Sequence, residues 1–439
     1  NIKETLDRNL KPGGALFWFF CGHPPSKPLA VVILIVSIPI LVVLSPIILL
    51  FILCLRAGYP KNLASNLPPF FKVALGIKDD TPILVVMDGI DPIEETKDGT
   101  PGTNYNIESK RMGWGYPQNF DVGMYWYGLG NVCTKGVTSE YFHPDKPVVI
   151  YIHGWEPGTT KRGFRETINW INAQDEKEHF DDTHSLDLWL KAGFNVGIFY
   201  WNQWSDEPNV KEAERKIYNA KTGTKMRWIR QNPDGSLVYI QNSVHNSSAS
   251  EVLLREYLNH FGNDKNGEAQ TIHLVGHSLG SQLTLEFVRK LILEPSCTIY
   301  PHRITLLDPY FSKGSKSYSP LYGSLTSQRA AETINLILEN RANTVIETYE
   351  TSLCATGAIS SSSHRLKENT VYHKVDMTQF PWFNVPIRHV CAPHLYFCSF
   401  AQETSWNKSF FNAHLPPEQL QPLMPRMVGA NNHDTTSKS

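Results

Sequence analysis

An α/β fold, with a mostly parallel central sheet flanked by helices, is predicted from three observations. Apolar runs of strand length alternate with longer amphipathic stretches between Lys146 and Tyr349, the pattern of βαβ units. Those runs are mainly apolar without a strict alternation, as strands buried on both faces are. Where one of them, Thr271 to Val275, passes into a helical pattern, the chain reads Gly276-His277-Ser278-Leu279-Gly280. At 439 residues the chain is long enough for one large domain with attachments.

Residues 1–29 form a flank ahead of Ala30 to Leu55, a run without a charged side chain, made mainly of Val, Ile, Leu and Pro. As a helix rising roughly 1.5 Å per residue it would extend about 39 Å, more than the ~30 Å hydrocarbon core of a bilayer. Phe17 to Phe20 and Lys27 precede it, and Arg56, Tyr59 and Lys61 come after it, the aromatic and basic residues that favour an interface. A transmembrane segment at 30–55 is therefore expected. Pro39 and Pro46 each remove a helix hydrogen bond, so a hairpin entering and leaving one leaflet stands beside the single span. A slight excess of basic residues before the run, with sequons at Asn246 and Asn407, favours a lumenal or extracellular position for the main domain.

Residues 56–145 read as an extension packing on the core, with a strand at Pro82 to Met87 and irregular structure, rich in Gly, Asn and Pro, to about Tyr127. The main domain is expected over 146–412. Its strands are predicted at Val148 to Ile152, Asn195 to Trp201, Thr271 to Val275, Arg303 to Leu307 and Thr344 to Tyr349. Ser248-Ala249-Ser250-Glu251 is a capping box that opens a helix, and further helices are expected at Gln282 to Leu293 and Gln328 to Glu339. Asn232-Pro233-Asp234-Gly235, between two alternating runs, marks a hairpin at 226–241 inserted into the domain. The tail 413–439, rich in Pro, Asn, Ser and Thr, has no apolar period and is expected to be mobile.

Basic and acidic residues balance, 41 against 42, which argues against a nucleic-acid partner. The 7 cysteines are too scattered for a disulfide scaffold, and they show no paired metal-ligand spacing. Six of them lie outside the apolar run and could form a few bridges in an oxidising compartment. No metal or cofactor is called for.

The chemistry rests on the Gly276–Gly280 pentapeptide, a G-x-S-x-G pattern in the strand–turn–helix context of a nucleophile elbow, which points to the α/β-hydrolase fold. A sharp turn lifts Ser278 clear of the sheet and leaves no room for a Cβ on either side. The hydroxyl needs a base, and the base an orienting carboxylate, in the chain order Ser, acid, His. Asp308 ends the Arg303 to Leu307 run at the carboxyl edge of the sheet, with Glu350 and Asp376 as rival acids. His394, late in the chain, is the candidate base, with His389 and then His373 as rivals. Oxyanion amides are expected from Leu279, just after the nucleophile, and from Trp155, in a loop that the small Gly154 lets approach the elbow. His153 fits better as packing under that loop than as a chemical group.

At Ile150 to Trp155, Ile272 to Gly280, Leu307-Asp308-Pro309 and Cys391-Ala392-Pro393-His394-Leu395 the chain resembles the animal neutral lipase family. That family includes pancreatic lipase, lipoprotein lipase and the secreted phospholipases A1. The resemblance spans roughly 145 to 405 and implies Ser278, Asp308 and His394 as the triad, with Trp155 and Leu279 supplying the oxyanion amides. The chain departs from it in the apolar run, in the hairpin insertion, and in having too little sequence after His394 for the lipid-binding β-sandwich of the larger members. Residues 351–390, with Phe380, Trp382 and Phe383, read either as a lid facing lipid or as a loop with its aromatics in the core.

The expected function is thus a membrane-anchored serine hydrolase cleaving lipid esters, phospholipid or acylglycerol, through an acyl-serine intermediate. Two alternatives stand beside it: a hydrolase-fold subunit of a larger membrane assembly without turnover, and a hydrolase or acyltransferase acting on soluble esters.

Overall fold

The computed structural model describes Leu84–Val86, most of residues 117–400 and most of 413–420, with the longest internal breaks at 170–183 and 263–270. The chain divides between Pro82 and Ile83, and all the described residues belong to the second unit. The transmembrane segment expected at 30–55 and the tail beyond Leu420 lie outside them. Among the described residues no helix is long and apolar enough to cross a membrane.

The strands in chain order are β1 (Leu84–Val86), β2 (Gly123–Gly128), β3 (Val132–Lys135), β4 (Val148–Ile152), β5 (Asn195–Tyr200), β6 (Trp228–Gln231), β7 (Leu237–Ile240), β8 (Ile272–His277), β9 (Arg303–Leu307), β10 (Val345–Glu350) and β11 (Val371–Lys374). The central sheet runs β11-β10-β9-β8-β4-β5-β2-β3. It is parallel from β11 to β5 and antiparallel where β2 pairs β5 and β3. Strands β4, β5, β8 and β9 are buried along their length because helices cover both faces, which is why they read as mainly apolar runs.

Side chains alternate between two cores. Val148, Ile150 and Ile152 of β4 join Leu274 and Ile304 on one face, beneath the helices Ala249–Phe261, Leu279–Ile292 and Thr326–Asn340. Val149 and Tyr151 join Val275, Leu307 and Tyr349 on the other, with Trp189 of the helix Ser185–Lys191 and Tyr396 and Phe397 of the helix Val385–Cys398. This is an α/β-hydrolase-like fold, a mostly parallel sheet flanked by helices.

The capping box forms: Ser248 Oγ accepts from the Glu251 amide, and the Glu251 carboxylate accepts from the Ser248 amide at 2.8 Å. The hairpin forms as well, β6 against β7, in a small sheet of its own in which β1 pairs β7 in parallel. One reading changes. The sequence predicts irregular structure as far as Tyr127, yet Gly123–Gly128 is a fully buried strand of the central sheet. Its aromatics serve both cores, Trp126 on one face and Tyr125 and Tyr127 on the other, so no polar alternation marks it. Cys133, Cys297 and Cys354 carry free thiols.

Candidate active site

Parallel register brings the carboxyl ends of four strands together. Ile152 pairs with Gly276, His277 with Leu307, and Leu307 with Tyr349, so the segments after β4, β8, β9 and β10 meet at one edge of the sheet. Ser278 follows β8 directly and precedes the helix Leu279–Ile292.

The turn is strained in the way an elbow requires. Ser278 has φ 55° and ψ −121°, a conformation that costs a non-glycine residue of order 1–3 kcal/mol. It is held by its own N–H, which donates to Leu307 O at 3.0 Å, and by its carbonyl, which accepts from Tyr310 N at 3.3 Å. The small neighbours follow from contact. A Cβ on Gly280 would lie 2.0 Å from Ile152 O, one on Gly276 would lie 2.7 Å from Gly280 O, and one on Gly154 would lie 2.7 Å from Ser278 Cβ.

Asp308 lies just past β9, fully buried and also left-handed, at φ 40°. Its Oδ1 accepts the backbone N–H groups of Thr351 and Ser352, each at 2.9 Å. Its Oδ2 accepts the Ser352 hydroxyl and, at 2.6 Å, Nδ1–H of His389. Burial would raise this carboxyl, but the hydrogen bonds and charge of His389 and the Ser352 bonds outweigh it and hold it below the usual range.

The imidazole at the acid is therefore His389, not His394. Both belong to the helix Val385–Cys398. Five positions along a helix is about 500° of rotation, so the two side chains project about 140° apart and only one can face Asp308. His394 is buried, which pushes its pKa down to about 3 and keeps it neutral. Burial would also depress His389, but the Cys354 sulfur and the Asp308 carboxylate beside it hold its imidazole well above the ordinary range. His389 is also tied to the elbow, since His277 Nε2–H donates to its carbonyl at 3.0 Å and the two rings lie 4.6 Å apart.

Ser278 exposes 7% of its surface. Among the described residues no hydrogen bond joins its Oγ to an imidazole. The two residues expected to supply oxyanion amides lie in segments that adjoin Ser278. Leu279 opens the helix, where a backbone N–H has no intrahelical acceptor. Trp155 follows Gly154, which packs on Ser278, and its indole donates to Glu207 O at 2.6 Å, fixing the loop. The same loop is pinned by Asp206, whose carboxylate accepts from the Gly158 and Thr160 amides at 2.5 and 2.9 Å. His153 is structural: it is fully buried, Nε2 accepts from Trp201 N at 3.1 Å, and burial pushes its pKa down to about 3.

The rivals sit elsewhere. Glu350 bonds Tyr372 and pairs with Lys367 at 3.3 Å, and His373 stacks on Tyr349 with centroids 4.9 Å apart. Asp376, Trp382 and Phe383 lie outside the described residues, while Phe380 is buried in the second core.

Fold and elbow together define an α/β-hydrolase-like protein that presents a serine at the carboxyl edge of its sheet. No protein-family profile and no curated protein matches the chain. Among solved structures it is similar to a putative hydrolase from Agrobacterium vitis S4, at 13% identity over 53% of this chain and 78% of that one, TM-score 0.21. It is similar also to an esterase of the bacterial hormone-sensitive lipase family, at 10% identity over 71% and 87%, TM-score 0.26. A third is an acylaminoacyl peptidase from Pyrococcus horikoshii, at 9% identity over 69% of this chain and 44% of that one, TM-score 0.29. None of these three is an animal neutral lipase, and scores this low carry no weight for function.

Proposed function

We propose that the chain is a membrane-anchored serine hydrolase cleaving carboxylic esters of lipids, phospholipid or acylglycerol. The supporting observation is a serine on a left-handed turn, directly after His277, whose ring lies 4.6 Å from that of His389, an imidazole whose Nδ1–H is held by a buried carboxylate. Asp308 fixes the tautomer that leaves Nε2 of His389 as the base. Nε2 closes on Ser278 Oγ as substrate binds, because such bonds are commonly loose in the empty site. Oγ then attacks the ester carbonyl, the amides of Leu279 and Trp155 take the developing oxyanion, and the imidazolium returns its proton to the leaving alcohol. Water, activated by the same imidazole, releases the acid from the acyl-serine.

The lipid preference rests on the apolar run Ala30 to Leu55, which would hold the domain at a bilayer, and on the neutral-lipase resemblance around Trp155, Ser278 and Asp308. The matching piece around His394 does not deliver its histidine to the acid. A second reading, a catalytically silent subunit of a membrane assembly, is supported by the lack, among the described residues, of a hydrogen bond between Ser278 Oγ and an imidazole.

A fluorophosphonate probe on the full chain separates the two. Labelling that disappears in Ser278→Ala is expected, and folded protein that takes no label supports the silent subunit. Turnover of soluble short-chain esters but of no phospholipid or acylglycerol would remove the lipid substrate.

A further inference from the structure

Beside the candidate base lies a third group that the proposed chemistry does not use. Cys354 Sγ, a nitrogen of His389 and a carboxylate oxygen of Asp308 all fall within 4.8 Å of one another. Cys354 is a free thiol, partly exposed, and the His389 side chain is 17% exposed, so solvent reaches the cluster although Asp308 is fully buried. The loop that carries Cys354 is fixed to the acid: Cys354 N donates to Ser352 Oγ at 3.0 Å, and that same hydroxyl donates to Asp308. The three donors therefore come from the loops after β9 and β10, tied together through Ser352, and from one helix.

We infer that Asp308, Cys354 and His389 form an inhibitory site for a thiophilic divalent cation, with Zn2+ as the cation that fits best. One thiolate, one imidazole and one carboxylate, with a water in the fourth position, is a donor set that zinc accepts. The sulfur selects against the oxygen-seeking Mg2+ and Ca2+. On binding, the cation takes the place of the proton shared by His389 Nδ1 and Asp308 Oδ2, which are 2.6 Å apart and must open by about 0.7 Å for both to ligate a tetrahedral zinc at ~2.0 Å. The Nδ1 proton and the thiol proton leave to solvent, and no electron is transferred. Two negative ligands then neutralise the dication, which suits a half-buried place. With its ring held by the metal, His389 loses the orientation and the basicity that Asp308 otherwise gives it. The inhibition rests on the serine-hydrolase reading; the binding of the cation does not.

The experiment uses the full chain with Co2+ as a spectroscopic stand-in, then Zn2+ with the fluorophosphonate probe. A thiolate-to-cobalt charge-transfer band is expected in the wild type and in Ser278→Ala, and its absence from Cys354→Ser and His389→Gln. Zn2+ should suppress labelling of Ser278 in the wild type, with Cys354→Ser needing at least about tenfold more. Circular dichroism confirms that each variant is folded. No cobalt band, or a band that persists in Cys354→Ser, overturns the site; a site that fills while labelling proceeds unchanged overturns its inhibitory role. A band of the expected kind on a chain that never labels, with or without zinc, removes the hydrolase reading and leaves the metal site standing.

Discussion

Replacing Asp308 by Asn tests the orienting role of the carboxylate with almost no change of shape. The two backbone bonds at Oδ1, from Thr351 N and Ser352 N at 2.9 Å, require an acceptor there, so the Asn carbonyl must take that position. Its NH2 group then falls where Oδ2 was, facing Nδ1 of His389 at 2.6 Å. Two donors cannot share that contact. Nδ1 becomes the acceptor, the ring proton moves to Nε2, and the base is lost. Enforcing the wrong tautomer in this way costs about 10⁴-fold in kcat, about 5.5 kcal/mol of transition-state stabilisation. Stability falls far less, by about 2 kcal/mol, since every bond survives in neutral instead of charged form. The assay is the second-order rate of fluorophosphonate labelling, with thermal unfolding as the control. A folded Asp308→Asn protein that labels within about tenfold of the wild type refutes the reasoning.

Three further outcomes are expected from the same geometry. His389→Ala should abolish labelling whereas His394→Phe should retain it, and the reverse pattern would return the base to His394. Because His389 must be neutral to act and its imidazole is held above the ordinary range, kcat/KM should climb with pH to a midpoint above ~6.5, and Cys354→Ser should lower that midpoint. The linked stability has the matching sign: the raised His389 contributes fully below ~6.5 and fades as pH passes its folded value, while the depressed Asp308 contributes above ~4 and fades in acid, as unfolding at several pH values would show. In Gly280→Ala the new Cβ would meet Ile152 O at 2.0 Å and His153 O at 2.6 Å, both backbone, so the elbow helix must move off β4. That overpacking should cost about 3 kcal/mol and lower the unfolding temperature by at least about 5 °C; an unchanged transition would mean the contact is not there.

The sequence by itself determined the features that depend on near neighbours. Mainly apolar runs of strand length placed β4, β5, β8, β9 and β10, because a strand buried on both faces shows no polar alternation. Ser248 and Glu251 announced their helix through a reciprocal bond across three residues. Gly276 and Gly280 announced the elbow by their spacing around Ser278, although it is β4, far away in the chain, that excludes a Cβ at Gly280, and Asp308 stood at a strand end. What only the tertiary structure decided is which groups converge from far along the chain. Motif resemblance favours His394 over His389, five positions earlier, yet the rotation of one helix against β9 and β10 brings His389 to Asp308 and buries His394. Cys354 joins them for a like reason, since 308, 354 and 389 carry no spacing that a sequence could display: parallel register puts the loops after β9 and β10 at one edge of the sheet, and the helix brings His389 to them.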